Sequence, residues 1–194
     1  MARDHAFSFL YHANTELLRA MGAELVFFSP LTSPDLPAVD SIYLPGGYPE
    51  LHLEQLSANV TLAQALRRHV EAAKPLYAEC GGMLYLLESL TDAAGKGAAL
   101  AGILPGHARL HARLQAIGYH SAPFPGGNMR GHTFHHSTIA TGLPPSAHTE
   151  SPQGYPGEAI YRRKRLVATY FHGYFPSNPR AAARLFQPSV SAVD

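Results

Sequence analysis

The segment Pro-Leu-Tyr-Ala-Glu-Cys-Gly-Gly-Met-Leu-Tyr-Leu-Leu, residues 75–87, admits few folds. An apolar strand-like run, Leu76 to Glu79, enters Cys80, two glycines follow, and a helix is expected at once over Met83–Leu90. A strand that turns directly into a helix belongs to a sheet covered by helices. So tight a turn strains the backbone, and only residues without Cβ can crowd beside its central side chain. The pattern is that of a nucleophile elbow in cysteine form. Backbone N–H groups at the start of the helix lower the pKa of such a thiol and can receive an oxyanion. The plain alternative is a small buried side chain at an ordinary turn. Cys80 is the chain's one cysteine, so it forms no internal disulfide, which fits a reducing compartment.

The first two-thirds of the chain alternate helical and strand patterns. A helix is predicted from Asn14 to Met21, stopping at Gly22, and a short strand at Glu24–Phe28 closed by Ser29-Pro30. After a Pro-rich loop come a buried strand at Ser41–Leu44, a helix from Asn59 to Ala73, and the Leu76–Glu79 strand. Such alternation predicts an α/β fold with a mostly parallel sheet and helices on both faces. Beyond Gly95 helical periodicity fades. Strand-like pieces at His107–Ala112, Ala116–Pro123, Gly131–Ile139 and Leu166–Phe171 predict antiparallel strands toward the C-terminus, and a helix at Pro179–Phe186 follows. No repeat or linker divides residues 1–194, which read as one domain. Only Met1-Ala2-Arg3 precede Asp4, too few for the full buried strand that usually opens such a domain. The chain is therefore expected to be an excised or split C-terminal domain, with its first strand begun upstream or curtailed.

Two further segments carry candidate chemistry. In Leu44-Pro45-Gly46-Gly47-Tyr48, paired glycines follow a buried strand, at the strand end where parallel sheets place their sites. Glycines there let backbone approach a substrate and aim an N–H at it. In Thr169-Tyr170-Phe171-His172-Gly173, a histidine closes a strand where it could serve a thiol as general base. The chain has 12 histidines, and spacing alone does not bring His172 to Cys80. His132, His135 and His136 form a cluster, with His132 and His136 expected on one face of a strand and His135 on the other. No zinc spacing is matched, so no metal is expected and a substrate-pocket wall is the better reading. No phosphate-binding G-x-x-x-x-G-K-[ST] loop occurs. Formal charge is +1, and the basic run Arg162–Arg165 reads as a solvated hairpin turn, so nucleic acid is not expected. No signal peptide or membrane-spanning run is evident, which predicts a cytoplasmic protein without a membrane partner.

Taken together these segments resemble the C-terminal glutamine amidotransferase domains of cobyrinic acid a,c-diamide synthases. The likeness runs through Ala2–Tyr11, Gly22–Pro30, Leu44–His52, Tyr77–Tyr85, Arg130–His135 and Tyr170–Pro179. Its most specific part is Gly46-Gly47-Tyr-Pro-Glu-Leu-His52 paired with Ala78-Glu-Cys-Gly-Gly82. The resemblance implies a flavodoxin-like sheet, Cys80 as nucleophile, His172 as base, and an oxyanion hole from backbone N–H groups of Gly81 and the Gly46–Gly47 loop. It implies a glutaminase that needs no cofactor of its own. Its ammonia would pass to a separate synthetase domain using ATP and magnesium to amidate the a and c acetate groups of the corrin ring. Glutamine and that synthetase, as domain or subunit, are the expected partners; a second copy of the chain stays open. Two departures stand out. Class I amidotransferases carry His-x-Glu, whereas Tyr174 stands two residues after His172 here, and Thr133 replaces a usual glutamate. A different acceptor, such as a cell-wall precursor, or a silent docking domain, remain the alternatives.

Overall fold

The computed structural model describes residues 1–188. In chain order these form α1 (His12–Ala20), β1 (Ile42–Leu44), a 3-10 turn (Pro49–His52), α2 (Leu53–Ala58), α3 (Val60–Glu71), β2 (Leu76–Glu79) and α4 (Gly81–Leu86). There follow β3 (Ser89–Thr91), β4 (Gly97–Ala99), β5 (His107–Leu110), β6 (Ala116–Phe124), β7 (Gly127–His135), β8 (Ser137–Ala140) and β9 (Ala147–Glu150). The chain ends with β10 (Pro156–Arg163), β11 (Leu166–Thr169), β12 (His172–Gly173) and α5 (Pro179–Phe186).

The main sheet runs β1-β2-β11-β10-β9-β6-β7-β12. Pairing is parallel from β1 through β2 to β11, and antiparallel beyond. Side chains alternate across the parallel strands, as their two-residue period demands. Ile42, Leu44, Leu76, Ala78, Leu166 and Ala168 pack with α3 and α4; Tyr43, Tyr77 and Val167 pack on the other face with Leu18 of α1 and Leu185 of α5. Helices thus cover both faces. A second sheet, β4-β3-β5-β8, lies apart from the main one. No helix among the described residues is long and apolar enough to cross a membrane.

Several elements differ from the sequence reading. Glu24–Phe28 is not a strand: only Phe28 bridges, to Ala2, and Val26 and Phe27 stay 37% exposed. Its partner is the brief Met1–Arg3 segment, which lies between it and β1 through Arg3 N–H to Phe28 O and Ala2 N–H to Tyr43 O. The expected Gly131–Ile139 strand is two, β7 and β8, which part at His136 and enter different sheets. The helix after Cys80 ends at Leu86 rather than Leu90, and β3 takes up the residues beyond. The Asn59 side chain caps α3 by accepting from the Leu62 N–H, fixing its start. The basic run turns the β10–β11 hairpin as expected, with Arg163 and Lys164 both tied to Glu71.

The sheet curls. His172 follows β11 by three residues, yet β12 pairs with β7 at the sheet's far edge. A hydrogen bond of 2.9 Å from Gly173 N–H to Glu79 Oε1 ties that edge back to β2.

Candidate active site

Cys80 stands where β2 ends and α4 begins, with φ +42° and ψ −107°. Such a conformation is costly for a residue with Cβ and persists only where its surroundings enforce it. Two backbone bonds enforce it: Cys80 N–H donates to Thr169 O at 2.8 Å, and Cys80 O accepts the first helical bond, from Leu84 N–H, at 2.9 Å. The glycines after it are demanded by close approach. A Cβ on Gly81 would lie 2.8 Å from Gly47 O and 2.9 Å from Gly47 N. The elbow and the Pro45-Gly46-Gly47 loop therefore meet backbone to backbone, which brings Gly81 and Gly47 side by side.

His172 arrives from the other side of that loop. A Cβ on Gly46 would sit 2.4 Å from His172 Cε1 and 3.1 Å from its Nδ1, so the imidazole packs directly on bare backbone. Parallel pairing sets Thr169 opposite Glu79, which places the end of β11 beside the elbow. The elbow at Cys80–Gly81, the Gly46–Gly47 loop and His172 thus follow one another in contact, Gly81 against Gly47 and Gly46 against His172. The thiol's own polar contact is a 3.9 Å approach to Phe134 O rather than to the imidazole.

The three other histidines take separate places. His132 stacks on His172 with ring centroids 4.9 Å apart and accepts or donates a 2.9 Å hydrogen bond with Tyr11 Oη. His135 is buried, stacked on Tyr170 at 3.6 Å and bonded through Nε2 to Glu158 at 3.1 Å. His136 packs against Phe134 with ring centroids 5.7 Å apart. Thr133 donates to the same Glu158 carboxylate at 2.8 Å, so a carboxylate from β10 stands next to this threonine. No group of three or more metal-ligating side chains occurs among the described residues. A groove of about 400 Å³ beside Thr133 and Glu158, and a cleft of about 670 Å³ near Met1, are lined by neither Cys80 nor His172.

Burial sets the resting protonation. It pushes the Cys80 thiol up to about 12, against the pull of the Gly81 N–H, and the carboxylates of Glu50, Glu79 and Glu158 add to the rise. Burial likewise holds His172 down, to about 3, helped by His132 and His135. Desolvation disfavours whichever form is charged. Thiol and imidazole are therefore both neutral at rest, and a proton can leave sulfur only as charge is taken up elsewhere.

One buried residue escaped the sequence reading. Glu79 lies directly before Cys80, is 1% exposed, accepts from Tyr43 Oη at 2.7 Å and from the Gly173 N–H, and faces His172. The signal was available: a carboxylate inside a strand whose four residues are all buried needs a reason to be there.

Comparison with known proteins shows the family and the fold. Over 193 residues the chain is 55% identical to the hydrogenobyrinate a,c-diamide synthase of Pseudomonas aeruginosa, covering 99% of this chain and 44% of that protein. It is 46% identical over 194 residues to the cobyrinate a,c-diamide synthase of Herminiimonas arsenicoxydans, with the same coverage of 99% and 44%. The chain thus spans less than half the length of these relatives. A solved glutamine amidotransferase superposes with a TM-score of 0.63 at 15% identity, over 95% of this chain and 97% of that one. PurLQS from Thermotoga maritima gives 0.62 at 13%, over 96% and 94%. At such identities the likeness is one of fold. Residues 1–180 match the CobB/CobQ-like glutamine amidotransferase domain, and the chain belongs to that family.

Proposed function

We propose that this chain hydrolyses glutamine at Cys80 and supplies the ammonia to an ATP-dependent synthetase that amidates the a and c side chains of hydrogenobyrinic or cobyrinic acid in cobalamin biosynthesis. The strained elbow at Cys80, with His172 across the Gly46–Gly47 loop, carries the reading. Sγ attacks the carboxamide carbon of glutamine while the thiol proton passes to the His172 imidazole. Gly81 and Gly47 backbone N–H groups receive the developing oxyanion. The imidazole returns the proton to the departing nitrogen, the C–N bond breaks, and a γ-glutamyl thioester remains. Water then attacks that thioester, His172 takes its proton, and glutamate leaves as the thiol re-forms.

The neutral resting pair suits this chemistry, because nothing deprotonates sulfur until a carbonyl is in place to take the charge. The acceptor follows from the names of the relatives at 55% and 46% identity. ATP and magnesium belong to the synthetase, and no residues here form a phosphate loop. Exposed apolar side chains on the β6–β7 hairpin, Ile117 at 68%, Tyr119 at 79% and Phe134 at 42%, suit a docked partner at the mouth of the site.

The test is covalent. A glutamine-shaped electrophile such as diazo-oxo-norleucine is expected to leave a single adduct on Cys80, read by peptide mass spectrometry and blocked by excess glutamine. A folded chain that takes no adduct, with synthetase present or absent, or takes one that glutamine does not block, sinks the reading.

A further inference from the structure

We propose that Glu79 is the positioning residue for His172: its carboxylate holds the imidazole with the proton on Nδ1, leaves Nε2 free to serve the thiol, and balances the ring's charge when the Cys80 proton arrives. The inference deepens the glutaminase reading and rests on it for the role of His172.

Three observations carry it. His172 Nδ1 is buried and has no hydrogen-bond partner, and the carboxylate oxygen facing it is Glu79 Oε2 at 3.9 Å, with side chains 4% and 1% exposed. Glu79 is itself fixed. Its Oε1 accepts from the backbone N–H of Gly173, the residue after His172, and its Oε2 accepts from Tyr43 Oη. One carboxylate therefore grips the backbone of the strand that bears His172 and stands before its ring. Third, the position that holds glutamate in His-x-Glu is here Tyr174, which is 42% exposed and packs edge-on against Tyr11. The carboxylate comes instead from β2, one residue before the nucleophile.

The 3.9 Å separation exceeds a hydrogen bond. Catalytic hydrogen bonds are often long in empty sites and tighten when substrate binds. Here the closing force is charge: once His172 holds the thiol's proton, a buried imidazolium would face a buried carboxylate. That attraction works against the burial that keeps the ring neutral at rest. The groups around the carboxylate are Tyr43 of β1, Tyr77 of β2, and His172 and Gly173 of β12; Asn14 of α1 holds the Gly173 carbonyl at 2.8 Å, and His132 of β7 stacks on the far side of the ring. Apart from the imidazole none of these carries positive charge. Burial pushes Glu79 up to about 7, opposed by Tyr43 and Gly173, so the carboxylate forms as pH rises through neutrality.

The experiment compares wild type with Glu79→Gln, whose amide oxygen can still accept from Gly173, and with Glu79→Asp. Glu79→Gln is expected to slow labelling of Cys80 by diazo-oxo-norleucine by about 100-fold, on the scale of a lost orienting carboxylate. It is also expected to abolish the rise of labelling rate through pH 7, while the glutamine concentration that protects stays within about threefold, since Glu79 sits behind the ring. Glu79→Asp recovers part of the rate. Imidazole nitrogen NMR of the wild type is expected to show His172 with its proton on Nδ1. A Glu79→Gln rate within twofold of wild type, or a wild-type ring carrying its proton on Nε2, overturns the proposal. If wild type takes no glutamine-protected label, the glutaminase reading fails, yet the NMR tautomer still decides whether Glu79 orients His172.

Discussion

Cys80→Ser is expected to lower the rate of glutamine hydrolysis by at least ~10⁴-fold, with the thermal unfolding midpoint nearly unchanged. The site gives its nucleophile little help at rest. The imidazole is held well below its usual range by burial, so it is a weak base toward an isolated hydroxyl, which surrenders its proton far less readily than a thiol. Sulfur is also larger, and the elbow that suits Sγ leaves a serine oxygen short of the carboxamide carbon. His172→Ala is expected to cost a similar factor, and the double variant scarcely more, because the two groups act in one proton transfer. Glutamate release, followed with and without a synthetase, measures all three. A serine variant that keeps a tenth of the activity would mean another group attacks.

Gly82→Ala is expected to destabilise the fold by ~3 kcal/mol or more. A Cβ there would lie 2.2 Å from Leu44 O and 2.7 Å from both Leu44 C and Cβ. These are backbone atoms of β1 or rooted in it, none of them the far end of a flexible side chain. The start of α4 would have to lift from β1, and the Gly46–Gly47 loop that follows β1 would move with it. In a domain of this size each kcal/mol shifts the midpoint by about 2–4 °C, so a fall of roughly 6–12 °C is expected by calorimetry. Gly142→Ala is the control: no atom lies within 4 Å of its Cβ, and the midpoint should hold. Equal midpoints for the two variants would show that α4 and β1 are not packed this closely.

The parts of the molecule legible in the sequence are those whose constraints are local. The β1 and β2 runs are buried on both faces, so they read as unbroken apolar stretches. The elbow at Cys80 is written in consecutive residues, and Asn59 announces α3 by a cap three residues away. What could not be read depends on distant partners. Glu24–Phe28 has a strand's composition, but its pairing is decided by the residues beside it, and only Phe28 finds a bridge. His136 parts β7 from β8 because two sheets diverge there, a fact no alternation records. Histidines 132, 135 and 136 seemed one cluster in sequence and serve three different neighbourhoods in space. Glu79 was visible as an odd carboxylate in a buried strand; only the return of β12 across the sheet shows what it faces.

The curl of the main sheet also sets the order in which the candidate site can assemble as the chain folds. The bond from Gly173 to Glu79 joins residues 94 apart, and the Asn14 side chain reaches the Gly173 carbonyl across 159 positions. Contacts of such span form late, since long loops must close before they reward the chain. The elbow itself waits on β11, whose Thr169 carbonyl receives the Cys80 N–H, and the imidazole follows three residues later. Until β11 and β12 have paired, the cysteine therefore has neither its enforced turn nor its candidate base.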